Sequence, residues 1–241
     1  MAEVTELRRE TAVEPLFGSL VKFAMSSVGS KMVMAVTGIG LWLFIVGHLA
    51  GNLTAYFGRE VFNGYAAALQ NNKPLLWAVR GALLIGFPLH ILTALRTAAL
   101  NRAARPVDYA FANRSPARGA AKTMMVSGAV VLAFFLYHLA HFTWRVTGPQ
   151  PTAPLPSGDW DAYSMLVMGF QQPLIAGFYI VGQVLLAAHL SHGLYSMFQH
   201  LGLWGRRWTP WLKKASLVVG YGLCAAFASI PLAVLVGVIK P

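Results

Sequence analysis

Four histidines, His48, His90, His138 and His189, each lie about 15 residues into a separate long apolar segment that otherwise holds few ionisable groups. An ionisable side chain inside a membrane is costly and marks a functional site by default. One imidazole on each of four neighbouring helices points to ligation of a metal or a haem, and the depth of each ring chooses between them. The alternative is four unligated rings, hydrogen-bonded across helices or facing a polar cavity, but chance does not place four at matched depths.

The elements that position these rings follow from composition. The 241 residues are 56% hydrophobic and only 11% charged, with a mean hydropathy of +0.56, which predicts an all-α, multi-pass membrane protein. Five apolar stretches are long enough to cross a bilayer, at about 31–56, 74–99, 122–146, 173–199 and 214–239. Asn71, Asn72, Lys73 and Pro74 interrupt the chain before the second, and a basic connection from Arg102 to Arg118 precedes the third. The Pro-rich run Gly148 to Pro156 follows the third, and Asp159 to Gly169 reads as a short interfacial helix. Gly205 to Pro210 separates the last two.

A net charge of +11 would suggest nucleic acid in a soluble domain. Here the charge lies in loops and segment ends, so no nucleic-acid partner is expected. Cys224 is the only cysteine, which excludes a disulfide, a cysteine-held iron–sulfur cluster and a thioether-linked haem within this chain. Residues 1–30, with Glu3, Glu6, Arg8, Arg9, Glu10 and Glu14, lack the apolar run of a secretory signal and read as a polar arm, either partly helical from Glu3 to Leu20 on the membrane surface or a partner, or solvated and disordered. Residues 31–241 form the transmembrane domain.

Fourteen of the 19 Lys and Arg fall in the N-terminal arm with Lys31, the second connection with its flanks, and the fourth connection. Arg59, Lys73, Arg80, Arg145 and Lys240 fall on the other side. The positive-inside rule therefore predicts a cytoplasmic N-terminus. With helices one and three running outward, His48 and His138 sit roughly 23 Å above the inner boundary; His90 and His189, on helices running inward, sit roughly 7 Å above it. The four rings form two pairs at two depths, each pair drawn from two helices, as bis-imidazole ligation of two stacked haems in a four-helix bundle requires. Zinc would instead gather three or four ligands at one level.

Gly38, Gly40, Gly47 and Gly51 on the first helix and Gly81 and Gly86 on the second would admit a flat macrocycle, or simply close helix packing. His141 and His192 lie one turn beyond His138 and His189 and could meet a haem propionate or a quinone carbonyl, or be satisfied locally. Arg96, Lys31 and Ser30 are placed at the inner end to meet propionates, with snorkelling as the alternative for the two cations.

The chain resembles the cytochrome b subunit of succinate dehydrogenases and fumarate reductases, in the form with one membrane subunit and two haems b. The resemblance spans about residues 25–240 and rests on SSVGSKMVMAVTG (26–38), FIVGHLAGN (44–52), FNGYA (62–66), FPLHILTALR (87–96), LYHLAHF (136–142) and GFYIVGQVLLAAHLSHGLYSMFQHLG (177–202). It implies that His90 and His189 ligate the haem proximal to an iron–sulfur subunit, that His48 and His138 ligate the distal haem, and that the first histidine of HLAH and of HLSH is the ligand. It implies flavoprotein and iron–sulfur partners on the cytoplasmic face of a bacterial inner membrane. It also implies a membrane electron-transfer role toward a quinone, often menaquinone, with no succinate site in this chain. A quinone site at the outer end would draw on Asn52, Tyr56, Glu60, His141 and Trp144; a competing site at the inner end would use Ser27 and Lys31. Some relatives carry a carboxylate just before the fourth-helix ligand, where this chain has Ala187 and Ala188, and none of its eight acids is mid-membrane. Protons for quinone are therefore expected from whichever surface the quinone faces.

Two other functions compete. The haem b subunit of a hydrogenase, formate dehydrogenase or nitrate reductase does related chemistry with a different distribution of ligands over its helices. A cofactor-free transporter or scaffold is disfavoured by the lack of an evident inverted repeat.

Overall fold

The computed structural model describes residues 17–104, 116–203 and 205–241. The acidic and basic residues up to position 14 and the middle of the second connection lie outside the described residues. Among those described, all regular structure is helical: α1 (Ser27–Leu53), α2 (Arg59–Asn71), α3 (Lys73–Ala103), α4 (Pro116–His138), α5 (Ala162–Phe170), α6 (Pro173–His200) and α7 (Thr209–Leu235). Five helices are long and apolar enough to cross a membrane: Ser27–Phe57, Lys73–Ala103, Thr123–Thr143, Pro173–His200 and Thr209–Leu235.

The first span begins four residues earlier than expected because the Ser26 side chain accepts from the Gly29 backbone N–H at 3.0 Å, an N-cap inside the polar arm. Residues 17–25 form a preceding helical stretch. Its last carbonyls are taken up from outside: Ser30 Oγ donates to Ala24 O at 3.0 Å, and the Arg96 guanidinium donates to Met25 O. A Cβ on Gly29 would strike Phe23 O, so the sharp turn at Ser26 depends on glycine there.

The connection after the first span is itself helical, α2, where only the break at Asn71, Asn72, Lys73 and Pro74 was expected. Asp161 clips α2 to α5. Its carboxylate caps Ser164 N at 3.0 Å, accepts from Asn63 Nδ2 at 2.9 Å and pairs with Arg59 Nη1 at 2.9 Å, while Asn63 Oδ1 receives the Tyr163 N–H. The short helix expected over 159–169 is present as α5, and it packs into the protein, with Leu166, Val167 and Phe170 in the main core. That core sits at the end of the bundle away from the chain's N-terminus, where α5 inserts beside Tyr179, Ile230 and Val234.

The third span ends in a π-helical turn, Leu139–Thr143, followed by Arg145 at φ 58. The guanidinium of Arg145 stacks on Trp160 at 4.0 Å and holds that left-handed residue in place.

Span packing is uneven. The sixth and seventh helices share the longest contact; α1 packs on α3 and α6, and α4 packs on α6. The α3 and α4 spans meet through Phe87 and Phe135, whose ring centroids are 4.4 Å apart. Phe87 precedes His90 by one turn and Phe135 precedes His138 by one turn, so this aromatic contact lies between the levels of the two histidine pairs.

Candidate functional site

The first pair of histidines meets directly. The rings of His48 (α1) and His138 (α4) lie 5.6 Å apart, centroid to centroid, with planes crossed at 83°. At that separation the two imidazoles could hold one metal or haem iron between them. Phe44 stacks on His48 at 5.4 Å, Phe227 of the last span lies at 5.8 Å from it, and Phe134, Phe142 and Tyr179 surround His138. His48 Nε2 accepts from the Asn52 amide at 3.3 Å. Ligation through that nitrogen requires the amide to turn away, which leaves Asn52 its bond to the His48 carbonyl at 2.8 Å.

The second pair is seated differently. His90 (α3) lies against α1, where its Nδ1–H is shared between Met34 O and Thr37 Oγ1, both at 3.2 Å. Thr37 sends its own hydroxyl proton to Val33 O at 2.8 Å, so toward the imidazole it accepts. His189 (α6) lies against α4 in the same manner. Its Nδ1 shares a hydrogen bond with Ser127 Oγ at 3.2 Å, and Ser127 Oγ lies 3.1 Å from Met124 O, to which it donates. The Met34 carbonyl holds the His90 proton on Nδ1, so its Nε2 carries the free lone pair a metal ligand needs; Ser127 can place His189 in the same tautomer when its own proton goes to Met124 O. His189 is within electrostatic range of His90 and of His192.

Backbone registers separate the two pairs. His90 sits at Thr37, eleven residues before His48 on α1; His189 sits at Ser127, eleven residues before His138 on α4. At about 1.5 Å per residue each offset is about 16 Å along the bundle.

Glycine makes room beside the second pair. A Cβ on Gly38 would meet His90 Cε1 at 3.4 Å, and one on Gly128 would meet His189 Cε1 at 3.5 Å. Gly40, Gly47, Gly81 and Gly86 have nothing within 4 Å of such an atom, and Gly40 and Gly86 line an apolar cavity of about 300 Å³ between α1 and α3 that reaches from Thr37 to Phe44. Gly51 serves another purpose, since its Cβ would strike the Tyr65 ring of α2 at 2.5 Å.

The remaining candidates are dispersed. His141 is wholly buried; its Nδ1 shares a hydrogen bond with Tyr179 OH at 3.2 Å, and its Nε2 is unpartnered beneath Gly148 and Gly169. Tyr56 donates to Ser229 Oγ at 2.8 Å. Glu60 lines an open cleft of about 300 Å³ with Arg59, Asn63 and Asp159, and Trp144 is exposed. At the opposite end Ser30 and Arg96 hold the carbonyls of the 17–25 helix, while Lys31 and His192 both lie within electrostatic range of His200. Burial works to raise the Asp161 carboxyl, but hydrogen bonds from Ser164 and Asn63 and the charge of Arg59 outweigh it and hold the group below the usual carboxylate range.

Sequence reasoning missed Thr37, Ser127 and Gly128. Their signal is a spacing: a hydroxyl–glycine pair, Thr37–Gly38 and Ser127–Gly128, stands eleven residues before the histidine of the same span in both α1 and α4. Set against protein-family models, curated proteins and solved structures, the chain matches none.

Proposed function

We propose that this chain is a two-haem cytochrome b, the membrane-anchor electron-transfer subunit of a succinate:quinone oxidoreductase. The observation that carries the haem reading is the seating of His90 and His189: each Nδ1 is hydrogen-bonded to a neighbouring span, which leaves Nε2 of both rings available as ligands from two different helices. The crossed rings of His48 and His138 support a second bis-imidazole site. The assignment to succinate:quinone chemistry rests on the sequence resemblance over residues 25–240.

On this reading His90 and His189 hold the haem nearer the N-terminal face and His48 and His138 hold the other; bound there, haem iron exchanges single electrons between its ferric and ferrous states. The protein's own contribution is to present neutral imidazoles, keep their tautomers fixed and exclude water. Thr37 and Ser127 fix the tautomers of one pair, and Asn52 must yield the Nε2 of His48. Phe44, Phe134, Phe142 and Tyr179 dry the other pair. Flavoprotein and iron–sulfur partners dock on the N-terminal, cytoplasmic face and supply the electrons. Quinone, of the menaquinone class, takes them at the opposite end, where Glu60 beside its cleft and Trp144 are accessible without rearrangement.

The visible spectrum of the purified protein reduced with dithionite tests this. Two low-spin b-type components are expected, with partial reduction by succinate in the assembled complex. A protein purified intact from membranes with no b-type α band refutes the haem reading, and a b-type protein whose complex is inert to succinate refutes the succinate assignment.

A further inference from the structure

We propose that Thr37 and Ser127 are positioning residues that set the redox balance of the haem held by His90 and His189, an inference that rests on the two-haem reading above. Each hydroxyl gives its proton to a carbonyl of its own helix, Thr37 to Val33 O and Ser127 to Met124 O. Thr37 is an acceptor toward His90, whose Nδ1 also donates to Met34 O, and on this proposal Ser127 accepts from His189 in the same way; each hydroxyl lies 3.2 Å from Nδ1 of a ligand histidine on a different span. The following glycine removes the side chain that would stand against the same ring, with Gly38 under His90 and Gly128 under His189.

The two arrangements share one sequence pattern. Spans α1 and α4 each contribute one histidine of the His48–His138 pair and, eleven residues earlier, a hydroxyl–glycine seat for a histidine of the other pair. A hydroxyl in a membrane helix that only bonds its own backbone has no reason to face an imidazole of the next helix. Two that do so at matching positions make a device.

The electronic consequence follows from the direction of the bond. Donation from Nδ1–H makes the imidazole a more basic ligand, which favours the ferric form. Removing the acceptor raises the midpoint potential. The two seats differ in strength, because His90 Nδ1 keeps Met34 O at 3.2 Å when Thr37 is removed, whereas among the described residues the ring of His189 bonds Ser127 alone. Loss of Ser127 therefore acts more strongly than loss of Thr37.

The test is a spectroelectrochemical titration of the full haem-loaded complex carrying Ser127→Ala or Thr37→Val, with Ser127→Thr and Thr37→Ser as variants that keep the hydroxyl. One of the two b components is expected to move upward by a two- to tenfold change in its ferrous-to-ferric ratio, the upper end being about 59 mV for a one-electron couple. Ser127→Ala should move it further than Thr37→Val, and the hydroxyl-keeping variants should restore it. If Ser127→Ala loses that haem, its retention in Ser127→Thr supports the assignment and its loss in both overturns it. Unmoved potentials in Ser127→Ala, or equal shifts in Ser127→Ala and Ser127→Thr, overturn it while the two-haem reading stands. An unmodified protein without b haem overturns both.

Discussion

Valine at Gly128 should expel one haem and leave the other. The atom a first substituent would add at this position lies 3.5 Å from His189 Cε1, an ordinary contact, so Gly128→Ala is tolerated. Valine carries two further carbons about 1.5 Å beyond, in the one rotamer a helix favours, and brings a methyl to about 2–2.5 Å from the ring. The ring must then retreat by about 1–1.5 Å, while a ligand constellation tolerates displacement of about 0.5 Å. The accompanying overpacking costs about 1–3 kcal/mol, which leaves a folded protein to measure. Gly38→Val, with its added atom 3.4 Å from His90 Cε1, should delete the same component. The haem-to-protein ratio should fall from two to one in each valine variant and remain at one in the double variant, with the same α band missing throughout. Valine variants that keep both components, or two that lose different ones, would refute the seating of His90 and His189 at one haem.

Within HLSH, His189→Ala should remove one b component and His192→Ala should keep both; a single-haem spectrum from the latter would reverse the assignment. Gly220→Ala should lower thermal stability in detergent by about 1–3 kcal/mol with both haems retained, because its Cβ would lie 2.8 Å from Ser191 N on the facing span. Asp161→Ala should cost about 2–4 kcal/mol, from the lost N-cap and the unsatisfied buried Asn63; Arg59, nearly half exposed, adds little. Because the folded carboxyl titrates below its unfolded value, its contribution is complete above about pH 4 and is lost as pH falls further. Thermal melts of wild type and Asp161→Ala should therefore converge on acidification, and melts that stay parallel would remove Asp161 from that role.

Much of the architecture was legible because length and apolarity are local properties. A stretch such as 173–199 announces a span by its composition, and the observed helix, Pro173–His200, differs by one residue at its end. The start of the first span was not legible to the same degree, since Ser26 reads as part of a polar arm until its side chain is seen on Gly29 N. The α2 helix was missed because it is short and only half apolar. The α5 helix is legible in the sequence, but its burial is not, because an apolar 9-residue segment looks the same whether lipid or protein covers it.

The candidate site divides in the same way. Sequence alone determined that four spans each carry a histidine about 15 residues in and, through helix direction and rise, that these four belong to two levels; the eleven-residue offsets seen in α1 and α4 agree with that spacing. Only the tertiary structure decided what each ring touches. Ser30 and Arg96 turned to the carbonyls of a neighbouring helix, His141 was sealed beneath Gly148 and Gly169, and Thr37 and Ser127 came to face His90 and His189. Depth follows from counting residues along one helix. Contact across helices depends on their rotation and crossing, which are set by packing between residues distant in the chain.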